Sequence, residues 1–187
     1  QTCALPISDK IYLAAIGRND GGSLGVGLRE FDGRSRQLGP LIQRSVAALP
    51  ALPSALWDAL AESFTPLARI EQIDERHVVA RLRAGGLVMD AASPVLIEPS
   101  MVLRPIVRRN DRSGQPLKGG VQAIPWSFMT VDERHDAVLE CTMQSGFRSA
   151  IPARSGVRME RLALLVRPQH QATQLLLRSR TEPAKPL

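Results

Sequence analysis

The 187-residue chain is 44% hydrophobic and 22% charged, which is the balance of a folded globular protein and excludes an intrinsically disordered one. Its net charge is +6, and the excess lies in the second half: residues 1–94 contain ten basic and ten acidic side chains, and residues 95–187 contain fourteen and eight. No apolar run approaches the ~18 to 20 residues that span a bilayer, so we expect no transmembrane segment.

The first eight residues, QTCALPIS, are interpreted as the translation of a sequencing adapter and are excluded from the fold prediction. Cys3 is therefore set aside. Cys141 is then the one native cysteine, which excludes an intrachain disulfide. On this interpretation the native N-terminus is missing, and the sequence predicts no localisation.

The first half begins with β-favouring segments separated by turn residues. Residues 10–16 favour a strand, the stretch RNDGGS at 18–23 favours a turn, and residues 24–28 alternate between apolar and small or polar positions. This pattern predicts a β-hairpin. Residues 31–33 predict a further turn, and residues 40–46 predict a third, weaker strand.

One helix is predicted near residues 54–64. Ser54 can cap its N-terminus by accepting a hydrogen bond from a backbone N–H of the first turn. A stripe of apolar residues follows at four-residue spacing: Leu56, Leu60 and Phe64. The segment contains no Lys or Arg, so we expect a helix that covers a sheet and not one that reads nucleic acid.

The tetrad Asp-Glu-Arg-His occurs twice, at residues 74–77 and 132–135. Segments with period-two alternation flank both copies, which predicts that each tetrad is a solvent-exposed turn between two strands. A metal or catalytic cluster made from both copies, or a contact with a partner, is the alternative. Adjacent residues on an extended chain point to opposite faces, so neighbouring side chains of one tetrad cannot chelate a metal ion.

The second half contains longer polar segments. Residues 95–109 predict an extended, proline-containing segment, and residues 109–120 and 145–158 predict two polar loops. Two strands, at 159–166 and 173–179, are predicted with a hairpin-length connection between them. The C-terminal tail resembles a linker.

We therefore predict a mainly β fold made of antiparallel sandwich or partly open barrel units, with one short helix. The N-terminal β unit is placed at residues 9–94 and a basic C-terminal β unit with its tail at residues 95–187. The boundary is placed where the charge balance changes. A single fused β domain is the alternative.

The residues with reactive side chains lack the spacing that catalysis needs. Cys141 alternates with Leu139 and Met143, which predicts a buried thiol with a raised pKa and no nucleophilic role. The glycine-rich stretch at 17–27 precedes a predicted strand, whereas a phosphate-binding loop precedes a helix. We assign no catalytic residue, no metal ligand and no cofactor.

The basic second half is the one feature that points to a ligand. Seven arginines are candidate polyanion-binding residues: Arg104, Arg108, Arg109, Arg112, Arg148, Arg154 and Arg158. If the two polar loops lie at the same end of a barrel or sandwich, these guanidinium groups could converge on phosphates or acidic sugars. Three aromatic residues could supply stacking: Trp126, Phe128 and Phe147. The alternative is that these arginines are solvated surface residues.

From these observations we expect a non-catalytic structural or partner-binding β module that belongs to a larger protein. Its partner would be another protein or the rest of the parent chain. A polyanion- or nucleic-acid-binding domain that uses the arginine-rich loops is the second hypothesis. A hydrolase or lyase with a site between the two β units is the third, because carboxylate pairs leave no sequence signature.

Overall fold

A computed structural model describes residues 10–19, 21–83, 93, 96–147, 151 and 158–167. Within these ranges the chain forms eleven strands, one α-helix and one short 3-10 helix (Leu49–Ala51). The prediction of a mainly β, antiparallel fold with one short helix is therefore confirmed. No helix of the described residues is both long and apolar enough to cross a membrane.

The first sheet has four strands around a central β2. The strands are β1 (Lys10–Arg18), β2 (Leu24–Asp32), β3 (Gln37–Leu38) and β4 (Ile42–Val46). β1 pairs with one edge of β2, and both β3 and β4 pair with the other. The predicted hairpin at 10–28 is confirmed, and its strands extend beyond the predicted bounds to Arg18 and Asp32.

The helix α1 (Leu52–Ser63) packs on this first sheet and begins two residues earlier than predicted. Pro53 lies within its first turn, where the missing N–H of a proline costs no hydrogen bond. Ala51 is the N-cap, so the predicted capping role of Ser54 is wrong. Its buried residues are Ala59 and Ser63, whereas the predicted apolar stripe is only partly buried.

Seven further strands form the second sheet. They are β5 (Leu67–Asp74), β6 (His77–Leu82), β7 (Val102–Asn110), β8 (Pro116–Ala123), β9 (Ser127–His135), β10 (Val138–Ser145) and β11 (Met159–Leu165). Six of them close a ring in the order β5-β6-β10-β9-β7-β11, because β11 pairs with both β7 and β5. β8 lies outside the ring on β7. The barrel is thus closed and not partly open.

The barrel interior is an apolar core. Successive residues of a strand face opposite sides, so every second residue is directed inward. Leu103, Met129, Leu139 and Leu165 are among its members, and Cys141 lies beside them with no exposed surface. The predicted inward face of β10 is therefore confirmed.

Hydrogen-bonded pairing crosses the predicted boundary at residue 94. β5 and β6 precede the boundary in sequence, and they pair with β11 and β10, which follow it. The described residues before β5 form the first sheet and its helix. The segment around the boundary itself is described only at residue 93 and from residue 96 onward.

The two tetrads occupy different positions in their hairpins. Glu75 and Arg76 form the β5–β6 turn, so the first tetrad is a turn as predicted. The second lies at the end of β9, and the turn that follows is Asp136 and Ala137. β9 has a bulge at Asp132 opposite β10, and β5 has one at Glu71 opposite β6, so both hairpins contain the same irregularity.

The predicted polar loop at 109–120 is mostly a hairpin. β7 continues to Asn110 and β8 begins at Pro116, and the turn between them is short. The Asp111 carboxylate closes this turn by accepting hydrogen bonds from the backbone N–H groups of Ser113 and Gln115. The predicted strand at 173–179 and most of the predicted loop at 145–158 lie outside the described residues.

Candidate binding surfaces

The seven predicted arginines are not equivalent in the structure. Arg148 and Arg154 lie outside the described residues, and four others have exposed side chains: Arg104, Arg109, Arg112 and Arg158. Arg108 is buried. It donates hydrogen bonds to the Asn110 side-chain oxygen at 2.8 Å and to the backbone carbonyl of Arg34 at 3.0 Å.

Arg108 belongs to the joint between the first sheet and the barrel. Arg34, in the turn after β2, donates two hydrogen bonds to Glu160 of β11, at 3.1 and 2.8 Å. Asn110 donates to the same carboxylate at 3.2 Å. A side chain held inside such a network contributes to docking the two sheets, so Arg108 is poorly placed to reach a ligand. The convergence of all seven arginines on one polyanion stays a prediction.

Arg104 lies on the same side of β7 as Arg108 but in a different environment. It lines an open cleft of about 650 Å³ together with Trp126 and Phe128, whose side chains are 83% and 42% exposed. No acidic residue is among the described residues that line this cleft. β7 pairs with β9 at Leu103 and Met129, and the next residues, Arg104 and Phe128, line the same cleft. No local sequence signal reveals this pairing between distant segments.

Two further clefts adjoin this one. The larger has a volume of about 950 Å³ and shares Val102 and Val166 with it, and a smaller one of about 160 Å³ shares Arg104. Both lie where the first sheet meets the barrel. Four arginines line the three clefts: Arg29, Arg44, Arg104 and Arg167. The Arg44 side chain forms an ion pair with Glu62.

The two tetrads flank β10 on the outer face of the barrel. His77, from the first, lies 3.7 Å from the carboxylate of Glu140 on β10. Glu140 is in turn opposite Glu133 of the second tetrad, whose carboxylate lies 3.2 Å from His135. All four side chains are more than 40% exposed. Across the described residues, no group of three or more His, Cys, Asp or Glu side chains is arranged to hold a metal ion.

The Cys141 thiol is a poor nucleophile in this fold. Burial in the barrel raises the pKa of its thiol to about 12, and the charges of Asp132 and Glu140 act in the same direction. The thiolate is the nucleophilic form, so its population at neutral pH is negligible. The prediction of a packing cysteine is confirmed.

One buried carboxylate pair could suggest acid–base chemistry. Glu30 and Asp32 of β2 are 1% and 2% exposed, and the Lys10 ammonium lies 2.7 and 2.9 Å from their oxygens. Burial opposes the charged form of Asp32, but hydrogen bonds from Ser35 and the charge of Lys10 together hold its pKa below the ordinary value. Both carboxylates are thus already paired with the Lys10 ammonium inside the protein, which is typical of structural ion pairs.

β1 is the most exposed strand that the structure describes. Among the described residues it pairs only with β2, and no other described strand lies on its second edge. Every residue after Lys10 is exposed, including four large apolar side chains: Ile11, Tyr12, Leu13 and Ile16. An apolar edge of this kind is a template for pairing with another strand.

The chain matches no protein-family model, and no curated protein shows detectable sequence similarity to it.

Proposed function

We propose that the protein is a non-catalytic β module that binds a protein partner by strand addition at the outer edge of β1, and that this partner is a second copy of the chain. The observation that supports it is the unpaired, apolar edge of a nine-residue strand. Exposed edges of this length recruit further strands unless the sequence blocks them.

The contrast with β8 supports the choice of β1. β8 also has an unpaired edge within the described structure, but its sequence includes Pro116, Lys118 and two glycines near the middle of the strand. Proline, lysine and irregular backbone are the features by which proteins block edge pairing. β1 has a basic residue only at each end and no proline.

The sequence of β1 is suited to antiparallel pairing with itself. With Ala14 at the two-fold axis, Tyr12 lies opposite Ile16 of the second copy, an aromatic and β-branched pair that stabilises sheets. Leu13 lies opposite Ala15, which is also an apolar pair. At the ends, Lys10 faces Arg18, and the positive charge of Lys10 is already balanced by the buried carboxylates of Glu30 and Asp32.

The expected dimer is weak. Pairing of two strands alone buries less than the ~1,200 Å² typical of stable complexes, so the dissociation constant should be on the order of micromolar or weaker. An isologous contact of this kind closes after two copies and does not propagate into fibres.

Charge substitution at the two-fold axis tests the proposal. Ala14 is exposed, and in the proposed dimer it lies opposite Ala14 of the second copy. Ala14→Lys and Ala14→Glu should therefore each abolish self-association, because they place two like charges opposite each other. An equimolar mixture of the two variants should associate again, because the pair is then of opposite sign. Sedimentation velocity over a range of concentrations measures each case.

Leu117→Lys is the matched control, because it adds a charge at an exposed apolar residue of β8, another edge strand. It should leave association unchanged. A wild-type protein that stays monomeric at all concentrations would contradict the proposal, and so would a mixture of the two Ala14 variants that does not associate.

Two other hypotheses follow from the sequence: a hydrolase or lyase, and a polyanion-binding domain. No described cleft brings together carboxylates that are free of internal partners, so no observation favours a hydrolase or lyase. One specific observation favours the polyanion hypothesis, namely the cleft that Arg104 lines together with Trp126 and Phe128.

A further inference from the structure

We infer that the cleft lined by Arg104, Trp126 and Phe128 binds single-stranded nucleic acid, with bases stacked on the two aromatic rings and a phosphate paired with the guanidinium group. This is a smaller site than the set of seven arginines, and it lies away from the β1 edge. A planar base linked to a phosphate needs an aromatic surface and a cation close together, and this cleft supplies both.

Arg104 is positioned for a ligand. Among the described residues it has no hydrogen-bond or ion-pair partner, and no acidic side chain lines the cleft. Its guanidinium group is also not stacked on a neighbouring ring, since the one cation–π contact of the described structure joins Lys10 and Phe64. An exposed arginine without internal partners is free to form a bidentate contact with a phosphate.

Trp126 occupies an unusual backbone conformation. It follows Pro125 in the tight turn between β8 and β9, and its φ is +53°. Proline followed by a residue with positive φ is the pattern of a type II turn, where glycine or asparagine is favoured at the second position. A large aromatic side chain that is 83% exposed gains little from packing there, so its presence at a strained position points to a contact with something outside the chain.

The adjoining clefts extend this cationic surface. Arg29 and Arg167 line the small cleft that shares Arg104, and the acidic residues in its wall, Glu30 and Asp32, are both paired with Lys10. A strand of nucleic acid that leaves the aromatic rings past Arg104 enters a cleft also lined by Arg167 and by Arg29, whose Nε donates to the backbone carbonyl of Gly39. A path of cations along a groove suits a linear polyanion better than a membrane surface, which presents its charges in a plane.

Tryptophan fluorescence gives a direct readout of stacking. The chain has two tryptophans, and Trp57 is exposed on α1 in the first part of the chain. In Trp57→Phe, an oligothymidylate or oligouridylate of about a dozen nucleotides should quench the remaining fluorescence of Trp126. In Trp126→Phe, the remaining fluorescence of Trp57 should not change on addition of the same probes.

Affinity measurements separate the roles of ring and guanidinium. Trp126→Ala and Phe128→Ala should each weaken oligonucleotide binding by roughly 10- to 100-fold, the usual loss for one stacking platform. Arg104→Ala should reduce the slope of log affinity against log salt by about 0.7, as expected for one lost phosphate contact on a single strand. Arg76→Ala removes an exposed arginine of the β5–β6 turn that lines none of the three clefts, and it should change neither quantity.

Several results would overturn the inference. One is the absence of binding to both oligonucleotides at about 50 mM salt, where such contacts are strong. Another is an equal loss for Arg76→Ala and Arg104→Ala, which would indicate general charge attraction. Binding to vesicles of anionic lipid that Trp126→Ala abolishes, without binding to oligonucleotides, would assign the cleft to a membrane surface instead. Circular dichroism of each variant verifies that it is folded.

Discussion

Lys10 is the residue on which the first sheet most depends. Its ammonium group contacts the carboxylates of Glu30 and Asp32, donates to the backbone carbonyl of Thr65 at 2.5 Å, and lies 4.9 Å from the centre of the Phe64 ring. One side chain thus joins β1 and β2 to the segment that connects α1 with β5. Because both carboxylates are almost fully buried, they depend on this cation for their charge balance.

Removal of Lys10 should destabilise the protein strongly. Lys10→Met keeps most of the side-chain length but leaves two buried carboxylates without a counterion, for which about 3 to 5 kcal/mol of unfolding free energy is the expected loss. Arg18→Met, at the exposed far end of the same strand, should change stability little. Denaturant unfolding at pH 7 measures both, and equal stability of the two variants would contradict the role given to Lys10.

The same network makes stability depend on pH in a defined direction. The pKa of Asp32 is lowered in the folded state from its ordinary value of 3.8, so ionised Asp32 stabilises the fold above that value. This stabilisation should disappear as the pH falls below 3.8 and through the folded-state pKa. Denaturant unfolding between pH 6 and pH 3 should therefore show a steeper acid loss for the wild type than for Asp32→Asn.

Among the strands, β8 has the least regular pairing. The register between β7 and β8 shifts between Arg108 and Asn110, and Gly119 has a positive φ of 68°. Gly120 is buried directly against the partner strand: a Cβ atom there would lie 2.7 Å from the backbone oxygen of Arg109. The backbone has no room to absorb a side chain at this position without moving.

Gly120→Ala should therefore destabilise the β7–β8 hairpin, by about 1 to 3 kcal/mol, the usual cost of overpacking. Gly21→Ala is the matched control, since a Cβ atom at Gly21 meets nothing within 4 Å and its φ is not positive. Thermal unfolding of the two variants compares them. A Gly120→Ala variant as stable as the control would show that the hairpin can shift at little cost.

Elements defined by local signals could be predicted from the sequence, and elements defined by distant contacts could not. The β1–β2 hairpin follows from alternation around a glycine-rich turn, and the burial of Cys141 follows from alternation alone. The position of the second tetrad could not be predicted, because local alternation does not show that β9 continues to His135, where it pairs with Val138 of β10. The strand β8 resembled a loop in sequence because of its polar residues and glycines, although β7 pairs with it.

The candidate sites likewise combine features that local sequence indicates with features that depend on distant contacts. Sequence identified the arginines of β7 and the aromatic residues of the β8–β9 region, but it could not distinguish Arg104 from Arg108. That difference arises from docking of the first sheet, whose Arg34 contacts Arg108 from a position 74 residues earlier in the chain. Closure of the barrel through β11 is also a long-range event, and it places Val166 beside Val102 in the wall of the cleft.

The assembled protein combines a closed barrel, whose apolar residues are directed inward, with a smaller sheet whose outermost strand remains apolar and exposed. Within the described residues, β3, β4 and β8 also have an edge without a partner strand. β3 and β4 are short, with two and five residues, and proline, lysine and glycine oppose further pairing of β8. We therefore expect association of the chain through a strand to occur at β1, as the proposed function requires.

Amide hydrogen exchange of β1, followed residue by residue at low and high protein concentration, tests this requirement most directly. We expect the amides of Lys10–Arg18 that point away from β2 to exchange rapidly in dilute protein and to become protected in concentrated protein, while the edge amides of β8 remain unprotected at both concentrations. Unchanged exchange along β1, or protection that appears at β8 instead, would contradict strand addition at this edge.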